Sequence, residues 1–155
     1  PVTGQPRGCQ HPLLDREEGS AIVEFVFLAV LLLIPLIYLT MMIARVQAGS
    51  YAVAHAAREA GRAFVTAESA ESAGSRAHAA AQIAFQDQGF DEESGTIAIA
   101  CSATPCLTPE GRIDVTATVR VPLPFIPSFA RDVVPLEVPV ASTHVVTVDR
   151  FREGP

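Results

Sequence analysis

Residues 20–44 are the segment that most restricts what this chain can fold into. They read Ser-Ala-Ile-Val-Glu-Phe-Val-Phe-Leu-Ala-Val-Leu-Leu-Leu-Ile-Pro-Leu-Ile-Tyr-Leu-Thr-Met-Met-Ile-Ala, almost unbroken apolar sequence. At a rise of ~1.5 Å per residue they form a helix of ~37 Å, longer than the ~30 Å hydrocarbon core of a bilayer. A stretch of this kind is wasted on the surface of a small domain and suits a membrane span. Pro35 interrupts it, which lipid-embedded helices tolerate with a kink. Glu24 is the exception to the apolar pattern. A carboxylate at mid-bilayer costs ~2.5–3.5 kcal/mol on insertion scales and less near the interface, so its retention near one end of the run points to a paired charge.

A cleaved secretory signal is the competing reading, and Val46-Gln47-Ala48 resembles a signal-peptidase site. Such signals, however, usually carry an apolar region of about 7–15 residues behind a basic segment. Here Glu17 and Glu18 precede the run. Residues 1–19 are polar and rich in charge, Pro and Gly, the composition of a disordered leader or tail.

Beyond Ala44 no turn residue intervenes, and helix formers continue through residues 45–65. The expected arrangement is a membrane helix over 20–44 that runs on as a soluble stalk. Ala44, Ala48, Ala52, Ala56 and Ala60 recur every fourth residue as a ridge of small side chains. Such a ridge lets helix backbones approach closely; an alanine-rich helix with no packing role reads the same way. Residues 66–75 suggest a break, followed by a second helix over 72–88 with Ala80, Ile83, Ala84 and Phe85 on one face and Gly89 as terminator.

After residue 95 the periodicity changes to two. Thr96–Ala100 is a short strand, and Ile113, Val115, Ala117, Val119 and Val121 alternate with Asp114, Thr116, Thr118 and Arg120 as a half-buried strand. Pro122, Pro124, Pro127, Pro135 and Pro139 suggest an irregular crossing, too rich in proline for a central strand. Val138–Val148 is a last strand, and a polar tail closes the chain from about residue 152. The expected fold class is α+β: a long N-terminal membrane-spanning helix, a shorter helix and a small antiparallel sheet, with residues 45–151 as one domain.

Cys101 and Cys106 flank the loop 102–111 and are placed either to close a small disulfide ring, which implies an oxidising compartment, or to remain as two free thiols. Cys9 stands apart. Two thiolates with no nearby His do not make a zinc site. The balance of 17 Asp and Glu against 11 basic residues, a net charge of −6, offers nothing to a nucleic acid. No nucleophile elbow, phosphate loop, H-E-x-x-H or C-x-x-C occurs. His11, His55, His78 and His144 lie in unrelated segments, and Asp87, Asp91, Glu92 and Glu93 lack the alternation of a calcium loop. The expectation is a protein that is not an enzyme and takes no cofactor or metal.

The remaining constellation lies at the start of the apolar run. A cut after Gly19 gives Ser20 a free amino group one helical turn from Glu24, a charge partner within the helix or on a neighbouring copy. A buried ion pair of this kind sets register between subunits. Gly19 with Glu24-Phe25 and the apolar helix resembles a type IV prepilin cleavage site. Ala56-Ala57-Arg58-Glu59-Ala60-Gly61-Arg62 is similar to the A-R-E-A-x-R stretch of TadE-like proteins, the minor pilins or pseudopilins of the tight-adherence (Flp) pilus system. The resemblance covers roughly residues 16–65, with a weaker fit at Val138–Arg150. It implies cleavage between Gly19 and Ser20 by a prepilin peptidase, and a role for Glu24 and Phe25 in assembly. It also implies residence in the cytoplasmic membrane with the C-terminal domain outside, and partners among other pilins and the pilus assembly platform. Pro35 lies farther from Glu24 than the helix proline does in many TadE-like sequences. Counting Arg7 and Arg16 before the helix against Arg45, Arg58 and Arg62 after it, the positive-inside rule favours the opposite orientation by one charge. The alternatives are a single-pass anchor carrying a ligand-binding head, and a secreted domain cut after Ala48.

Overall fold

The structure is a computed structural model that describes residues 1, 18–91, 93–123 and 137–152. Most of the leader (2–17, with Cys9 and His11), Glu92, Pro124, Pro127, Pro135 and the last three residues lie outside the described residues. The fold is α+β, with the order α1 (Glu18–Val65), α2 (Ala70–Asp87), β1 (Gly95–Cys101), β2 (Arg112–Pro122) and β3 (Glu137–Thr147). The chain divides into two compact units, Pro1–Thr40 and Met41–Pro155.

In the first unit α1 presents its apolar residues outward on every side. Phe25 is 72% exposed and Leu32 73%. Burying a large apolar side chain gains ~1.5–3 kcal/mol, and here the described residues supply no cover. The helix is long and apolar enough to cross a membrane. Pro35 sits within it, and the Thr40 hydroxyl donates to the Leu36 carbonyl at 2.8 Å, which satisfies a polar group inside the helix as a lipid environment demands.

The second unit is two-layered. Three antiparallel strands form a meander in the order β1-β2-β3, with Ile99 opposite Val115 and Val115 opposite His144. Strand period two puts Ile113, Val115, Ala117, Val119 and Val121 on one face, all fully buried. The helices cover that face. The opposite face carries Thr116, Thr118, Arg120 and Thr143, with a Thr116–Thr143 hydroxyl bond of 2.8 Å across β2 and β3.

Helix α1 approaches the sheet through its smallest residues. Ala52, Ala56, Ala57 and Ala60 are completely buried. A Cβ at Gly49 would lie 2.5 Å from Val121 Cγ2, and one at Gly61 3.3 Å from Val146 Cγ1. Ala52, Ala56 and Ala60 of the ridge are thus part of the buried core of this unit, beside the two glycines that face the sheet. Ala48 is half-buried at its margin and Ala44 is exposed.

Four local expectations need correction. Helix α2 begins at Ala70, ahead of the predicted Ser72, because Ser69 caps it: its Oγ accepts from the Ser72 N–H at 3.3 Å. Its buried face is Ala73, Ala77, Ala81, Ala84 and Phe85, whereas Ile83 is 61% exposed and Ala80 half-buried. The Phe85 ring takes the inner position because it lies against the backbone of Gly95, where a Cβ would meet the ring at 2.5 Å. Pro122 ends β2 and so belongs to a strand, while Pro139 lies in the edge strand β3, opposite Arg120, within the strand expected over Val138–Val148. An edge position leaves its missing N–H without consequence.

The fourth concerns Arg152, which the sequence places at the start of a polar tail and which the structure ties to the helical layer. Its guanidinium donates to the carbonyls of Val65, Ala67 and Glu68. These lie at and just beyond the end of α1, where helix carbonyls run out of intrahelical donors. Gly89 behaves as predicted, with φ +76° just past the Gln88 cap of α2.

Candidate functional site

The residues singled out at the membrane end sit in the first turns of α1. The Gly19–Ser20 bond lies within the opening turn, since the helix starts at Glu18. Helix N–H groups of that turn have no intrahelical acceptors and carry the positive end of the dipole. Ser20 and Glu24 are four apart and share one helix face. Both are exposed, and Phe25 beside them is too. Among the described residues Glu24 has no ion-pair partner, the one salt bridge being Arg112–Asp114 at 3.0 Å on the outer face of the sheet. The structure therefore brings Gly19, Ser20, Glu24 and Phe25 into two consecutive turns of one apolar helix. Ser20 and Glu24 are arranged so that an ammonium at residue 20 and a carboxylate at residue 24 lie on the same side.

The remaining candidates occupy the second unit. Ala52, Ala56 and Ala60 are buried in its core. Cys101 and Cys106 form a disulfide with their Cα atoms 5.3 Å apart, closing the loop between β1 and β2. That loop is braced by Ser102 N–H to Arg112 O at 2.9 Å, by Arg112 N–H to Ser102 Oγ at 2.9 Å and by buried Leu107. The Thr104–Pro105 peptide is cis.

No catalytic arrangement converges among the described residues. His55 and His78 are exposed, and His144 is half-buried beside Gly61. No group of three or more His, Cys, Asp or Glu among them is placed to hold a metal ion. A groove of about 420 Å³ runs between α1 and α2, lined by His55, Glu59, Ala80, Ile83, Asp87 and Gln88. It holds no nucleophile paired with a base. Arg58 of the arginine stretch bonds its own helix, Nε to Ala54 O at 3.0 Å.

Sequence reasoning passed over Gly49, Gly61 and Gly95, whose missing side chains permit the packing. Gly49 and Gly61 continue the small-residue face of α1 and were detectable as such. Gly95 depends on where Phe85 comes to rest, which no local pattern reveals. No family model, curated protein or solved structure matches this chain.

Proposed function

We propose that this protein is a structural assembly subunit, a TadE-like pseudopilin of a tight-adherence pilus, anchored in the membrane by α1 and processed between Gly19 and Ser20 by a prepilin peptidase. One observation carries the reading. Gly19, Ser20, Glu24 and Phe25 open an exposed apolar helix whose later turns form the packing face of a small α+β head.

Cleavage creates an ammonium at Ser20 where only a peptide nitrogen stood. Glu24 of a neighbouring copy neutralises it, and the pair fixes the axial register of adjacent helices. Because neither charge is stable alone among apolar helices, the pairing favours assembly over dispersed subunits. The disulfide fits a head that matures in an oxidising compartment, outside the cytoplasm. The partners are then other pilins, the peptidase and the assembly platform in the cytoplasmic membrane.

N-terminal sequencing of the mature protein from its native membrane tests the processing. A chain beginning at Ser20 is expected. An uncut leader makes the protein a simple single-pass anchor, and a chain beginning at Gly49 makes it a secreted domain; either result overturns the reading.

A further inference from the structure

Phe151 is 84% exposed, more than any other large apolar side chain among the described residues. A single exposed apolar residue is ordinary, but the setting of this one is not. Just before it, Val148 is buried, its N–H donating to Gly111 O and its carbonyl accepting from Glu110 N–H. Just after it, the Arg152 guanidinium holds the carbonyls of Val65, Ala67 and Glu68. Between these anchors the Asp149 carboxylate accepts from Phe151 N–H at 2.8 Å, and Asp149 O accepts from Arg152 N–H at 3.3 Å. The turn is braced on both sides with its ring in solvent. The Arg150 guanidinium lies over that ring, 5.4 Å from its centroid, so one rigid knob displays a cation and an aromatic face together.

The groove between α1 and α2 has the complementary character. Ile83 lines it and is 61% exposed, and Glu59 and Asp87 bring two carboxylates to its walls. Among the described residues neither carboxylate has an ion-pair partner, and the neighbouring Arg58 bonds Ala54 O instead. The volume of about 420 Å³ lies within the ~300–1,000 Å³ of sites that take small organic groups. It has room for one aromatic ring beside a guanidinium.

Charge and polarity select the occupant. The groove is negative with an apolar wall, and the knob is positive with an apolar ring. Complementary charge of this kind steers encounter and fixes register, and a knob already held in place loses little freedom on docking. Phe151 is left uncovered by its own chain, so the groove that receives it belongs to another copy. The knob is fastened beside Val65, whereas the groove opens beside His55 and Glu59, ~9–15 Å earlier along α1 at 1.5 Å per residue.

We propose that the Arg150–Phe151 turn of one copy docks in the α1–α2 groove of another, the ring against Ile83 and the guanidinium against Glu59 and Asp87. Knob and groove are different surfaces, so the contact is heterologous and builds open rows instead of closed pairs. One such contact is small, and confinement of the copies to a membrane raises their effective concentration. The inference deepens the proposed function and rests on its reading of the chain as a subunit that assembles with its own copies.

The test uses the full chain in its native membrane, with two differently tagged copies co-expressed and a benzophenone amino acid in place of Phe151. The expected products are dimers and larger species that join the two tags. Mass spectrometry should map the crosslink to residues 55–59 or 80–88 of another copy. Arg150→Glu should lower the crosslinked yield at least ~10-fold, because it sets like charges together. Arg150→Glu combined with Asp87→Arg should restore it. Arg150, Phe151 and Asp87 are all exposed, and an unchanged thermal midpoint verifies that each variant folds. Should Arg150→Glu fail to fold, Asp87→Arg with the same probe decides in its place. Crosslinks to another surface, to the chain's own groove, to a different protein, to lipid or to nothing overturn the proposal, as does an undiminished yield in the folded charge variant. A mature N-terminus other than Ser20 with the crosslinks intact sinks the prepilin reading and leaves this contact standing.

Discussion

Two glycines in helices make opposite demands on a single methyl group. In a helix interior Gly→Ala ordinarily gains ~0.5–1 kcal/mol, because glycine loses more freedom on folding. A Cβ at Gly74 in α2 would meet nothing within 4 Å, so Gly74→Ala should raise the thermal midpoint of the detergent-solubilised chain by a few degrees. At Gly49 the added carbon would sit 2.5 Å from Val121 Cγ2, and overpacking of that kind costs ~1–3 kcal/mol. Gly49→Ala should therefore lower the midpoint, and a rise would show that α1 does not press on the sheet at this turn. Glu24 is a residue of another sort, exposed within its own chain, and under the proposed function its value comes from a neighbouring copy. Glu24→Gln keeps shape and loses charge. Membrane insertion and cleavage at Gly19 should persist while pilus assembly, read by sheared-fibre yield, falls to background. Parental fibre yield from both Glu24→Gln and Glu24→Ala refutes the register role.

At the scale of elements, two fastenings hold the unit formed by Met41–Pro155. The disulfide closes a loop with a sequence separation of 5, and the chain-entropy relation assigns such a ring ~2 kcal/mol. Replacing both Cys101 and Cys106 by Ser should cost about that much in urea unfolding at an unchanged m-value. Arg152 ties the end of the chain to the end of α1 through three carbonyls, and hydrogen bonds from a charged donor contribute ~1.5–3 kcal/mol. Arg152→Ala should speed amide exchange at residues 64–68 specifically, with exchange along β2 little altered. The strands were the most legible elements, because alternation along Ile113–Val121 is what a sheet with one covered face requires. Helix α2 was legible as a helix and in the burial of Ala84 and Phe85, but its face was set too far toward Ala80 and Ile83. Ile83 is the more apolar choice for the core, yet Phe85 and a row of alanines fill it. The face of a short, alanine-rich helix is set by the shape of the sheet beneath it, and hydropathy alone does not carry that information.

For the molecule as a whole, the exposed apolar surface of α1 up to Thr40 needs a solvent other than water. The chain should resist extraction by alkaline carbonate. Leu32→Arg with Leu33→Arg places two charges deep in the span at ~2.5–3.5 kcal/mol each, and should shift the protein to the extractable fraction. Ile83→Arg, at a position also exposed but in the second unit, should leave it membrane-bound. The sequence by itself determined the membrane-length helix, its continuation through residue 65, the three strands and the cysteine pair that can close a ring, because each is written in local periodicity or spacing. Tertiary structure alone decided that three alanines of the ridge are buried in the core, that Gly95 yields its side-chain space to Phe85, that Pro122 ends a strand, and that Arg152 caps a helix ending 87 residues earlier at Val65. These depend on contacts between residues distant in the chain, where fit and an unmet carbonyl, not pattern, choose the partner.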